Sequence, residues 1–134
     1  MVSKRLNNLF LITLIPIYLH GIEEILTGFS QIDSFMIIGS HFFHISSEQF
    51  YWVSHLIFWL LLPALYLFFY KTKVALFLFS LFGLFFIVEL HHIYKAVLIK
   101  NYYPGLVTSL AYPVIGFFYI KELIKIWRKN YGRN

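Results

Sequence analysis

With no cysteine in its 134 residues, the chain draws any metal or proton chemistry chiefly from six histidines and six acids. Three of these stand together in His20-Gly-Ile-Glu23-Glu24. Spaced i, i+3 and i+4, they share one face of a helix. Glu89 and His92 are spaced i, i+3, close enough to touch one ion, and His55 lies one heptad after Glu48. Imidazole and carboxylate without thiolate suit a divalent transition metal, with zinc or iron first among the choices. The candidate ligands are His20, Glu23, Glu24, His55, Glu89 and His92. The most economical arrangement holds one ion with His20, His55, His92 and a carboxylate, leaving Glu23, Glu24 and Glu89 for a second. A glutamate not used as a ligand can serve as general base, and Glu24 is the candidate for that catalytic role. His91 points about 100° away from His92 and reads as a neighbour. His41 and His44 read as exposed loop residues.

Something apolar must position these groups. Hydrophobic residues make up 60% of the chain and charged ones 13%, against roughly 45–50% and 25% in soluble domains. The apolar stretches reach the roughly 20 residues that span hydrocarbon as helix. The expected fold is therefore all-α, a polytopic membrane four-helix bundle forming a single domain, with helices near 6–26, 50–70, 74–99 and 105–127. Lys4 and Arg5 before an apolar run also fit a signal peptide, but no small-x-small cleavage site follows, so the run is read as the first membrane helix. A long outer loop between helices 1 and 2 is expected from Thr27 to Gln49, its apolar run Phe35-Met-Ile-Ile38 lying in the interface.

Nine of the eleven basic residues, Lys4, Arg5, Lys71, Lys73, Lys121, Lys125, Arg128, Lys129 and Arg133, fall on one side of such a bundle. The excess of positive charge on inner loops then puts both termini in the cytoplasm of a multi-pass cell-membrane protein. Basic residues that flank apolar helices without forming one patch argue against nucleic acid as a partner. The bilayer is the expected partner, with a lipid-like substrate and a second copy of the chain covering Gly83, Gly116 and the Phe-rich faces.

Depth ties the polar groups together. At about 1.5 Å per residue, His20 lies about 21 Å past Leu6 and Glu89 about 22 Å past Val74, both counted from the inner side. His55 lies about 7 to 8 Å from the outer start of its helix at Phe50. All three fall at one level in the outer third of the bilayer. Pro16 removes a helix hydrogen bond one turn before His20 and is expected to bend that helix. Thr108 and Tyr112 are expected to face inward. No H-E-x-x-H, G-x-S-x-G, phosphate loop or dinucleotide fingerprint is present.

The run His20-Gly-Ile-Glu23-Glu24 near the end of a first membrane helix resembles the HXXEE family of small bacterial integral membrane proteins. Glu89-Leu-His-His92 and Asn101-Tyr-Tyr-Pro104-Gly105-Leu-Val-Thr108 are similar to its downstream motifs. The resemblance covers residues 20 to 108 and implies a membrane location without naming an activity. The expectation is a metal site in the outer part of the bundle, supporting chemistry on a lipid-like substrate. Whether the chain is an enzyme stays open, with a metal-ion or proton transporter and a haem-binding membrane protein as the alternatives.

Overall fold

The computed structural model describes residues 2–72 and 74–131, and every regular element among them is helical. Helix α1, Lys4–Thr27, begins where the Ser3 hydroxyl oxygen accepts the Leu6 N–H, and it ends at Gly28, whose φ of 75° suits a residue without Cβ. The helix continues through Pro16.

The expected long loop between the first two membrane helices is not what forms. That segment folds into α2, Phe29–Ile32, and α3, Ser34–Phe43. The reason is Asp33, whose Oδ1 accepts the N–H groups of Phe35 and Met36 at 2.9 and 3.3 Å and so starts α3. Once started, the apolar run has a helix to form, burying Met36 and leaving Phe35, Ile38 and Phe42 exposed.

Helix α4, Ser47–Phe69, opens on a capping box between Ser46 and Gln49. Helices α5, Ala75–Val88, and α6, Leu90–Ile99, form one span interrupted at Glu89. There the His92 N–H goes to the Glu89 carbonyl at 3.4 Å, and the Val88 carbonyl instead accepts His91 Nδ1–H at 3.1 Å. A side chain thus satisfies backbone that the break exposes, as a helix in lipid requires. After Pro104-Gly105 come α7, Leu106–Ser109, and α8, Ala111–Tyr131.

Among the described residues, four helices are long and apolar enough to cross a membrane: Lys4–Thr27, Ser47–Phe69, Ala75–Ile99 and Leu106–Tyr131. α1, α5 and α8 pack around Leu6, Phe10, Phe79, Phe82, Phe86 and Tyr119. α4 lies at the edge, burying Leu62 and Tyr51 but exposing Leu60 and Phe68. Gly83 and Gly116, expected to need a second copy, are covered within the chain: a Cβ on Gly116 would sit 2.9 Å from Phe86 Cβ, and one on Gly83 would meet Leu123. A smaller core of Phe29, Met36, Tyr51, Ala96 and Tyr103 closes the far end. The polar residues lie between the two cores. Ser3 donates its hydroxyl to Glu122 Oε1 at 2.8 Å, so the start of α1 and the later turns of α8 share one end of the bundle. Of the basic residues at that end, Lys73 and Arg133 lie outside the described residues.

Candidate metal centre

Two histidines on different helices face each other across the bundle, and hydrogen bonding fixes their tautomers. His92 Nδ1 lies 2.6 Å from the Pro104 carbonyl, which only accepts, so Nδ1 carries the proton. His20 Nδ1 lies 2.8 Å from Thr108 Oγ1. The single Thr108 hydroxyl hydrogen goes to Glu23 Oε2, so Oγ1 accepts from His20 Nδ1–H. When neutral, each ring therefore presents an unprotonated Nε2, and the two Nε2 atoms are 3.1 Å apart.

Glu89, at the helix break, brings its Oε2 to 2.9 Å from His20 Nε2 and 3.3 Å from His92 Nε2. That oxygen is buried and has no hydrogen-bond donor. Three electron-pair donors thus converge, all within 4.8 Å of one another, with no proton between them in these tautomers. Such an array is costly unless a metal ion or a proton sits in it. Metal–ligand bonds of about 2.0–2.2 Å place adjacent donors of a tetrahedron roughly 3.3–3.5 Å apart, close to the separations found here. Two imidazoles and one carboxylate form a set that zinc hydrolases and non-haem iron sites use while keeping coordination positions open.

Glu24 stands beside this trio. Its Oε1 is 3.3 Å from His92 Nε2 and 3.6 Å from His20 Nε2. Its Oε2 accepts the Tyr51 hydroxyl at 2.9 Å and meets His55 Nε2 at 3.2 Å. His55 already gives Nδ1–H to the Tyr51 carbonyl at 3.0 Å, so its Nε2 donates to Glu24 only when the ring is protonated. Glu24 Oε2 and His55 Nε2 are therefore close enough to be bridged by a hydrogen bond.

The structure brings together His20, Glu89 and His92, with Glu24 adjoining. It turns two other expected ligands elsewhere. His55 reaches the distal oxygen of Glu24 instead of the trio. Glu23 spends both oxygens on the start of α7: Oε1 accepts Tyr102 OH at 2.7 Å and Val107 N–H at 3.0 Å, and Oε2 accepts Thr108 N–H at 2.8 Å as well as its hydroxyl. These are N–H groups that a helix start leaves without internal partners. Glu48, His41 and His44 are exposed. Tyr112 is buried with its ring centre 5.3 Å from that of His20.

Sequence reasoning missed Tyr51 and Asp33. Tyr51 sits one turn before His55, a spacing that could have drawn attention to it. Asp33 precedes an apolar run, the position of a helix cap. Its Oδ2 accepts Tyr103 OH at 3.1 Å and lies 3.9 Å from His91 Nε2. Burial, then the adjacent Asp33 carboxylate, push the Tyr103 hydroxyl well above its usual range, so it remains a donor. Gly105 is needed twice over. Its φ is 83°, and a Cβ there would come within 2.6 Å of both His20 Cε1 and His92 Nδ1.

Cavities adjoin the centre. One of about 240 Å³ is bounded by His20, His55 and Glu89 and by Ile17, Phe58 and Phe85. Another of about 410 Å³ touches Glu24, Asp33, Glu89, His91 and His92. Phe35 and Met36 of α3 wall both. Comparison with known protein families, with curated proteins and with solved structures found no match.

Proposed function

We propose that the chain is a multi-pass cell-membrane protein, with both termini in the cytoplasm, that holds a divalent transition metal through His20, Glu89 and His92 and uses it for hydrolytic chemistry on a lipid-like substrate. The observation that carries the reading is the convergence of two Nδ1-anchored histidines and the donorless Glu89 Oε2 in a buried setting. Zinc or iron fits this donor set. When bound, the ion supplies Lewis acidity, polarising a carbonyl and activating water.

The protein's own groups do the rest. Glu24 Oε1 lies beside the trio and is placed to take a proton, while Tyr51 OH holds its other oxygen. His55 can then relieve Glu24 of that proton through its Nε2. The apolar cavity between α1, α4 and α5 gives an acyl chain a place next to the ligands, in the manner of small-molecule sites that pair an apolar wall with a few polar groups. The three motifs that resemble those of the HXXEE family meet here, through His20 and Glu24, Glu89 and His92, and Pro104 to Thr108.

Neither alternative finds the same support. Two imidazole nitrogens 3.1 Å apart leave no room for a haem plane between them. For transport, the polar groups toward the other end return to their own helices, Thr13 to the Leu9 carbonyl and Ser80 to the Leu76 carbonyl, and rings of Phe10, Phe79 and Phe82 fill the space between.

Cobalt substitution tests the proposal. Wild-type protein titrated with Co²⁺ should develop ligand-field absorption saturating at one ion per chain, and Glu24→Gln should keep that signal while losing about 100-fold or more of esterase turnover on acyl substrates. No ligand-field band in the wild type, or full turnover in Glu24→Gln, would sink it.

A further inference from the structure

A wide groove lies at the end of the bundle opposite the metal centre, where α1 begins and α8 finishes. It encloses about 780 Å³, and Arg5, Lys121, Lys125 and Arg128 surround it over walls that include Phe117 and Phe118. Lys121, Lys125 and Arg128 follow one another at i, i+4 and i+7, and Phe117 extends the same stripe one turn earlier. Among the described residues, the only carboxylate lining the groove is Glu122. It is 7% exposed, with Oε1 taken by the Ser3 hydroxyl and Oε2 3.9 Å from Arg5 Nε. Among the described residues, no carboxylate comes within ion-pair distance of Lys121, Lys125 or Arg128. Among the described residues these three cations thus surround an open groove without a carboxylate partner, Lys121 Nζ lying 5.9 Å from the centre of the Phe117 ring.

The rings decide what fits. Phe117 is 62% and Phe118 43% exposed on a helix long and apolar enough to span a membrane, so in a bilayer they would face lipid chains. The cations lie further along α8, where a span of this length reaches the headgroups and long basic side chains snorkel. A free phosphate or an acidic peptide would meet the charges and leave the rings uncovered. We propose that this groove binds an anionic phospholipid, its phosphate among Arg5, Lys121, Lys125 and Arg128 and an acyl chain along Phe117 and Phe118. Clustered basic side chains beside a membrane helix are the usual means of selecting such headgroups. The site is independent of the metal centre.

Native mass spectrometry of the purified full-length protein, with phosphatidylglycerol and phosphatidylcholine of identical chains supplied in equal amounts, reads the preference directly. The wild type should retain phosphatidylglycerol about fivefold or more over phosphatidylcholine. K121Q/K125Q/R128Q should bring the ratio close to one, and Lys125→Gln alone, should the triple variant fail to fold, should at least halve it. K95Q/K100Q, which removes the two lysines nearer the other end, should leave it unchanged. Equal retention of the two lipids by the wild type overturns the proposal whatever the variants do. So does an undiminished preference in the folded triple variant, and so does displacement of the bound lipid by soluble glycerol phosphate, which would assign the groove to free phosphate esters.

Discussion

Thr108 does two things with one hydroxyl: it gives its hydrogen to Glu23 and receives one from His20 Nδ1. Glu23, expected from its spacing to be a ligand, thereby acts on the candidate centre at one remove. It fixes the hydroxyl that fixes the imidazole, an outer partner of the kind that orients ligating histidines. Thr108→Val removes both bonds at nearly constant volume. We expect metal affinity to fall about 10- to 100-fold, read by competition with a chromophoric chelator, whereas Thr108→Ser should stay near wild type. The residue types at the centre are legible in the sequence, because ionisable groups are rare in apolar helices and three helices carry them at one depth. Which oxygen meets which nitrogen is not legible. Helical spacing places Glu23 and Glu24 on one face alike, and only the arrival of α7 beside Glu23 and of Tyr51 beside Glu24 separates their roles.

At the scale of elements, α3 is the piece that periodicity alone did not reveal. Its ten residues depend on Asp33, which caps the helix through Oδ1 and ties it to Tyr103 through Oδ2. Asp33→Ala should destabilise α3 locally by about 0.5–2 kcal/mol, speeding amide exchange at Ile37 and Ile38 several-fold while exchange in α1 stays unchanged. Because Phe35 and Met36 wall both cavities, the same variant should also weaken retention of an acyl substrate more than it weakens metal binding. The four spans themselves were readable from apolar length. The break at Glu89 was not, since no Gly or Pro marks it. There the His91 side chain takes over the Val88 carbonyl, a compensation visible only in three dimensions.

For the whole molecule, four crossings of a bilayer would put the start of α1 and the end of α8 on one side, and the Ser3 to Glu122 hydrogen bond holds the start of α1 against the later turns of α8. The absence of cysteine makes the topology simple to test with single introduced thiols. Cysteines at Ser3 and Asn130 should be shielded in intact cells from a membrane-impermeant maleimide, and cysteines at Ser46 and Asn101 should be labelled. Labelling of all four, or the inverse pattern, would refute the cytoplasmic assignment of the termini. The apolar exterior, the rarity of charge and the two polar ends then have separate roles: basic residues at one end, and a buried His/Glu centre toward the other. The most direct test of that centre is elemental analysis of protein purified in detergent without chelators. About one zinc or iron per chain is expected in the wild type, and its loss in His92→Ala and Glu89→Ala. A wild type that neither carries nor takes up a stoichiometric divalent metal, or folded variants that keep it fully, would rule out metal binding by His20, Glu89 and His92.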